Sequence, residues 1–356
     1  MSFPYSHKQQ VEGRVTITRE RPTIAVVIPN RNDATYLPAC LDSVLKQRVR
    51  ANQIIVVDDA STDRSLDVIQ EKLKDLHGVE VVANPVCLGT MAALNVGLER
   101  VTSDYVLFLS SNDYLTADIL ERAKSSIGNT AAPGIWSAMV WVAREDGRRR
   151  FVYPSPVVAL RGTFLSSEQC TRLAKSPGNW FTGTTTMYHR ETLQGIGGFD
   201  ADYGGLADLL AATTVASIKG AYFLPEPLGV VRKHARGYLW RTLTNLPGLE
   251  SILEKVQRVG PTLSPALFSQ KFCERTKHRF HFAALRAIND QNWVGIPDLW
   301  HGRRYSALRV ISGVIGERRR TQLIIAFLLL RPLDVPSTIW NRGLLTLWVM
   351  WCTYVY

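Results

Sequence analysis

The chain lacks the common phosphate-binding signatures. No Gly-x-Gly-x-x-Gly follows its first apolar run, and Gly-x-x-x-x-Gly-Lys-Ser/Thr occurs nowhere, so neither a dinucleotide fold nor a P-loop is expected. Cysteine is scarce. Cys40, Cys87, Cys170, Cys273 and Cys352 are scattered at spacings that suit neither a zinc site nor a disulfide framework, which points to a reducing compartment. Met1 to Pro22 is polar and has no apolar core of the kind a secretory leader needs, so a cytoplasmic location is the expectation. No apolar run reaches the roughly 20 residues that a spanning helix requires. What is present is 356 residues, 46% of them hydrophobic, enough for about two domains with buried cores.

Acidic residues are the minority charge, leaving a formal net charge of +11. Anionic partners that fit are a membrane surface, nucleic acid or phosphorylated small molecules. Part of the excess sits in Arg148–Arg150, Arg303–Arg304 and Arg318–Arg320, each of which reads equally as solvated surface. Nucleic acid is not expected, because no recognition motif or basic-aromatic alternation accompanies the charge.

From Thr23 to about Leu120, short apolar runs alternate with helical patterns. Ile24–Ile28, Ile54–Val57, Val79–Val82 and Tyr105–Leu109 read as strands. Tyr36–Gln47, Ser65–Leu73 and Met91–Arg100 read as helices, the first with Leu37, Cys40, Leu41, Val44 and Leu45 at helical spacing. Continuous apolar strands between helices imply a parallel sheet covered on both faces, with ligands at the carboxyl ends of its strands.

Those ends are polar. Pro29–Asn30–Arg31–Asn32–Asp33 follows the first run, Asp58–Asp59–Ala60–Ser61–Thr62–Asp63 the second, and Ser110–Ser111–Asn112–Asp113 the fourth. Such carboxylates suit hydrogen bonding to a base or ribose, or holding a hard cation against a diphosphate. Asn32 and Asp63 could equally cap the helices that follow them. The adjacent pair Asp58–Asp59 is harder to explain by capping and is the stronger functional candidate.

These segments, with the helix Gly89-x-x-x-Ala93-x-Asn95-x-Gly97, resemble the inverting family 2 glycosyltransferases of the GT-A fold: an α/β, Rossmann-like mixed sheet with flanking helices that binds nucleotide-diphospho-sugars. The resemblance implies that Pro29, Asn30, Asn32, Asp58 and Asp59, with Asn84, Gly89 and Asn95, serve the nucleotide site, and that the donor is a UDP-, GDP- or dTDP-sugar. A second block, from Trp180 to His234, resembles the acceptor half of the same fold through Gly197–Asp200 and Pro225–Leu228. The family's catalytic base, which deprotonates the acceptor hydroxyl, then falls on Asp208, with Asp200 and Asp202 as nearby competitors and helix capping as the alternative role for Asp208.

One departure stands out. Where the family carries an Asp-x-Asp metal motif, this chain reads Ser110–Ser111–Asn112–Asp113. The resemblance assigns a divalent cation, Mg²⁺ or Mn²⁺, to Asp113, Asn112 and His234, weakly held because an anionic ligand is missing. Alternatively Arg232, Lys233 and Arg236 neutralise the leaving diphosphate, Arg232 belonging to the donor site, and a metal matters less.

The expected organisation is an N-terminal extension over residues 1–20, a glycosyltransferase domain over 21–236 (donor half 21–120, acceptor half 121–236), and a helical region over 237–356. Ser264–Ile288 reads as helix, with Ser264 as N-cap and Pro265 in the first turn. Beyond it, Leu323–Leu330 and Leu344–Tyr356 are apolar runs of 8 and 13 residues flanked by arginines, with Trp340, Trp348 and Trp351. They suit an interfacial segment at the inner face of the cell membrane, or a subdomain packed on itself or in a homodimer. Trp136, Trp141 and Trp180 are candidates for stacking on an acceptor. The expected function is transfer of a sugar to a glycan or lipid-linked acceptor in cell-surface polysaccharide, lipopolysaccharide or glycolipid synthesis. A nucleotidyltransferase is disfavoured, since no basic Gly-rich loop follows the first strand. A decayed relative that only binds a glycan or partner is the remaining alternative.

Overall fold

A computed structural model describes residues 21–74, 76, 78–143, 148–153, 156–175, 179–232 and 237–289. The expectations placed on residues 1–20, on His234 with its neighbours Lys233 and Arg236, and on the apolar tail therefore lie outside the described residues.

The first part of the chain follows its strand-helix alternation: β1 (Ile24–Asn30), α1 (Leu37–Leu45), β2 (Gln53–Asp58), α2 (Ser65–Leu73), β3 (Val79–Ala83), α3 (Thr90–Leu98) and β4 (Tyr105–Phe108). Then come β5 (Tyr114–Leu115), α4 (Ile119–Gly128), β6 (Ile135–Ala143), β7 (Arg149–Val152), β8 (Thr163–Leu165), α5 (Ser167–Lys175), β9 (Met187–His189), α6 (Arg190–Gly195), α7 (Ala207–Lys219) and β10 (Ala221–Arg232). Three helices complete the described chain: α8 (Tyr238–Thr244), α9 (Leu246–Leu263) and α10 (Gln270–Asn289).

The strands form a single mixed sheet in the order β3-β2-β1-β4-β9-β6-β10-β5, with β7 on β6 and β8 on β10. β1, β2, β3 and β4 run parallel, and β9 joins β4 antiparallel. The two expected halves of the transferase domain therefore share one sheet.

β1 shows why the sequence specifies this arrangement. Ile24 through Ile28 are fully buried, with Ala25 and Val27 in one core and Ile24, Val26 and Ile28 in the other. A strand buried on both faces has no polar side to alternate with, hence its unbroken apolar run. Helix α3 lies directly on it. A Cβ at Gly97 would sit 2.4 Å from Val27 Cγ1, so the close approach of helix to strand requires glycine there. β3, by contrast, is an edge strand with its side chains largely exposed.

The helices after residue 236 differ from expectation. α9 carries a stripe at Leu249, Leu253, Val256 and Gly260, whose spacing is helical and whose residues join the core beneath the sheet. Ser264 ends this helix rather than starting the next one. Its carbonyl accepts from the Leu267 and Phe268 N–H groups, and Phe268 packs on Gly260, so the chain turns there and α10 begins at Gln270.

Candidate active site

At the carboxyl edge, β1 leads into α1 and β4 leads into β5, and the strand order reverses between β1 and β4, which opens the crevice expected at such a switch point. A cavity of about 820 Å³ occupies it, lined by Pro29 to Asp33, Asp59, Gly89, Thr90, Ser110 to Asn112 and, from α8, Tyr238 and Arg241.

Two adjacent acids stand at the end of β2, but they face different partners. Asp58 is fully buried and receives Asn30 Nδ2 at 2.7 Å, Ser61 Oγ at 2.6 Å and Ser61 N–H at 2.9 Å. It ties the β1 and β2 turns together and does not line the cavity, which corrects its assignment to the nucleotide site. Asp59 does line it. Its carboxylate accepts Leu88 N–H and Gly89 N–H at 2.8 Å each, Asn84 Nδ2 at 2.9 Å and Cys87 Sγ at 3.3 Å. Burial opposes its ionisation, but these bonds outweigh that cost and hold its pKa below the ordinary carboxylate value. Asn84 is spent on Asp59, behind the cavity wall.

Gly89 has φ +90°, a conformation an L side chain rarely adopts, and this lets its N–H turn back onto Asp59 at the start of α3. Asn32, at φ 56°, accepts from the Thr62 and Asp63 N–H groups, while Asp63 accepts from the Ala34 and Ser65 N–H groups. Both side chains therefore build the turns, and Asn32 meets the cavity only as part of its wall. Asn30 also lines the cavity, and its Oδ1 is buried without a partner, an acceptor that an incoming N–H group would satisfy. Asn95 is corrected to a clasp: its amide donates to the Phe199 carbonyl at 2.8 Å and accepts the Phe199 N–H at 2.9 Å. It holds the Gly197–Asp200 turn on α3.

Across the crevice, Asp113 is buried. It accepts Thr184 Oγ1 at 2.7 Å and the Arg232 N–H at 2.9 Å. Burial pushes its pKa up to about 6, against the pull of these donors and of the Arg232 charge. The Arg232 guanidinium donates to the Asn112 carbonyl at 2.7 Å and lies 5.4 Å from the Tyr36 ring centroid and 5.0 Å from that of Tyr114. Its Nε is buried without a partner. Cation–π contact on two rings and one carbonyl bond thus fix a charge at the turn where the acidic motif is thinned. Ser111 Oγ donates to Asp33 at 2.6 Å. The described residues contain no group of three acidic, histidine or cysteine side chains able to hold a metal.

A second cavity of about 510 Å³ shares Pro29, Ser110, Asn112 and Tyr238 with the first and runs on past Asp113 and Arg232 to Asp208. Asp208 sits in the first turn of α7, where its Oδ1 accepts the Leu209 N–H at 2.7 Å. Its Oδ2 has no hydrogen-bond partner among the described residues, and Gly183 leaves room beside it, since a Cβ there would stand 3.2 Å away. Burial lifts its pKa above the ordinary carboxylate value, against the Leu209 N–H. A carboxylate with one oxygen fixed and one free, raised in basicity, suits a general base. The competing acids are engaged elsewhere: Asp200 and Asp202 both pair with Lys255, at 2.7 and 2.8 Å. Of the tryptophans, Trp136 is core and bonds Ser126 Oγ, whereas Trp180 stands in a wall that also contains Asp208.

Sequence reasoning missed Thr184, Gly183, Tyr238 and Arg241. The first two lie inside the second block but outside the short motifs that carry its resemblance, and the last two lie past the point where the resemblance stops.

Residues 25–197 match the family model described as Glycosyl transferase family 2. The chain is 35% identical over 101 residues, 28% of its length and 40% of the relative's, to an uncharacterized glycosyltransferase of Haemophilus influenzae. It is 34% identical over 108 residues, covering 30% of itself and 42% of the relative, to a PGL/p-HBAD biosynthesis glycosyltransferase of Mycobacterium bovis. The chain thus spans about two fifths of the length of these relatives. Among solved structures it resembles the mannosyltransferase PcManGT of Pyrobaculum calidifontis, in complex with GDP-Man and Mn²⁺, with a TM-score of 0.54, 19% identity and coverage of 90% and 87% of the two chains.

Proposed function

We propose that the chain is an inverting glycosyltransferase acting on a nucleotide-diphosphate sugar, a reading supported by the match of residues 25–197 to glycosyl transferase family 2 and by a sheet of the GT-A type. The observation that carries the proposal is the continuous crevice from Asp59 and Gly89 to the free oxygen of Asp208, passing the Arg232 guanidinium midway.

In this reading the nucleoside lies against Pro29, Asn30 and the Asp59–Gly89 corner, and its diphosphate faces Arg232, with Arg241 at the mouth. The acceptor hydroxyl stands at Asp208 Oδ2. As its oxygen forms the bond to the anomeric carbon, the bond from that carbon to the diphosphate oxygen breaks, and the hydroxyl proton passes to Asp208. The nucleoside diphosphate leaves with the bonding electron pair, and attack from the opposite face inverts the anomeric centre. Arg232 stabilises the charge that develops on the leaving oxygen, and burial strengthens that interaction.

The described residues do not fit a resident divalent cation such as the Mn²⁺ bound by the Pyrobaculum enzyme. Both oxygens of Asp113 are engaged, one oxygen of Asp33 is taken by Ser111, and a guanidinium lies beside them. The counter-charge to the diphosphate in this reading is the Arg232 guanidinium. The biological setting that fits is synthesis of a cell-surface polysaccharide, lipopolysaccharide or glycolipid, as for the mycobacterial relative. Among the described residues no helix is long and apolar enough to cross a membrane.

The test is binding and hydrolysis of a panel of UDP-, GDP- and dTDP-sugars, each with Mn²⁺, Mg²⁺ or excess chelator. Donor-selective binding with turnover that persists in chelator supports the reading. Turnover restored only by metal would refute the assignment of the counter-charge to Arg232. No binding to any donor would leave the chain as a glycan- or partner-binding relative.

A further inference from the structure

Beyond Asp208 the crevice does not end. It opens into a chamber of about 380 Å³ that shares Asp208, Gly183, Tyr188 and Leu239 with the cavity in front of it. Trp180 and Phe181 stand edge to face, with ring centroids 5.2 Å apart, and Phe272 of α10 is 5% exposed. Leu209 on α7, Ala174 on α5 and Phe280 on α10 add to the apolar lining, and Asn179, Thr182, Thr213 and Thr276 set polar groups among them. Asp208 is the only carboxylate among the described residues that line it. The one guanidinium, Arg279, donates to the Ala174 carbonyl at 3.4 Å. A free sugar needs a polar partner for nearly every hydroxyl it buries, and several polar groups of this wall are already engaged: Thr213 Oγ1 donates to the Leu209 carbonyl, the Tyr188 hydroxyl to the Asp208 carbonyl, and Asn179 Oδ1 accepts the Phe181 N–H. An apolar group gains from burial there without leaving polar atoms unpaired.

We propose that this chamber binds an apolar aglycone on the acceptor, so that the preferred acceptor is an aryl or alkyl glycoside or alcohol whose reacting hydroxyl lies next to its hydrophobic group. The inference rests on the glycosyltransferase reading and deepens it, because the hydroxyl must stand at Asp208 between the two cavities. The same geometry limits the spacing. The chamber begins at the base itself, so an apolar group separated from the reacting hydroxyl by a long glycan would fall outside it. α10, which supplies Phe272, lies beyond the segment that matches the family model.

The experiment uses the full chain with a nucleoside diphosphate present, and measures calorimetric binding of matched methyl, phenyl and octyl glycosides of glucose, galactose and N-acetylglucosamine. Phenyl or octyl forms should bind about tenfold or more tighter than methyl forms, the scale expected when two or more carbons leave water. Ala174→Leu, which fills the chamber, should erase that preference, and Phe272→Leu should reduce it. Nucleotide affinity measured on the same samples reports whether each variant keeps its fold. The phenyl and octyl arms separate an aryl-shaped from an alkyl-shaped chamber. Equal affinity for all aglycones would overturn the proposal, as would a preference that both variants leave untouched. Failure to bind any glycoside would overturn it too, by assigning the chamber to other residues of this chain. Failure of the nucleotide alone to bind, with the aglycone preference intact, would instead count against the glycosyltransferase reading.

Discussion

Asp59 and Asp208 stand at opposite ends of one crevice and are built in opposite ways. Asp59 is saturated by donors from the 84–89 segment, and its pKa is held low. Asp208 keeps one oxygen free, and burial raises its pKa. The first arrangement fixes a shape: an ionised group that organises backbone around itself. The second leaves a lone pair free where two cavities meet. A saturated acid holds the donor pocket in form, and an unsaturated one can take a proton.

Asp208→Asn attacks the contrast at its reactive end. It should lower turnover by about 10²- to 10⁴-fold while donor binding, read by calorimetry, stays intact. The variant should be at least as resistant to urea as the parent, because it removes the cost of a buried ionised group. Loss of donor binding together with turnover would show instead that Asp208 holds the structure. Arg232→Gln tests the charge between the two ends, and should cost about 10²- to 10³-fold in turnover whether or not Mn²⁺ is added. Rescue by Mn²⁺ would count against it.

Asp59→Asn attacks the other end, and its damage should appear as lost fold and donor affinity rather than as lost chemistry. One amide group would face N–H donors, at a cost of about 2–3 kcal/mol in denaturant unfolding. A subtler effect concerns pH. The base must be ionised to accept a proton, and its pKa is raised, so the acid limb of kcat should lie above the ordinary carboxylate range and activity should fall as pH drops through it. Stability runs the other way. Asp113 is raised to about 6, so the stabilisation from its protonated form is present at low pH and lost as pH rises through about 6. Thermal melts across that window would register it. The smallest effect should come from Asp200→Asn, which breaks one exposed ion pair with Lys255 and should change turnover less than about twofold.

The sequence was legible where one physical cause dominated. β1, β2 and β4 announce themselves because strands buried in the sheet interior must be continuously apolar, and α2 runs from Ser65 to Leu73 as its pattern predicts. Asp208, the proposed base, came from resemblance, and what sets Asp200 and Asp202 apart from it is their pairing with Lys255, a residue more than 40 positions away that no local pattern could supply. Asp58 and Asn95 misled for a related reason. A polar side chain at a strand end or on a helix looks the same in sequence whether it faces a ligand or its own backbone, and only the fold shows that Ser61 and Phe199 take them up. Ser264 carried a sound N-cap signal, but Phe268 packing on Gly260 made it an end instead. Tyr238 and Arg241 gave no signal, since their role comes from α8 lying over the crevice.

The guanidinium held between Tyr36 and Tyr114 has a cellular corollary. A positive charge carried on the polypeptide is made once, at translation, in a one-to-one ratio with each copy of the catalyst. It cannot be chelated, and no other ion competes for its place. If it takes over the work of a bound cation, sugar transfer is uncoupled from the supply of manganese or magnesium and would continue unchanged in a cell starved of either.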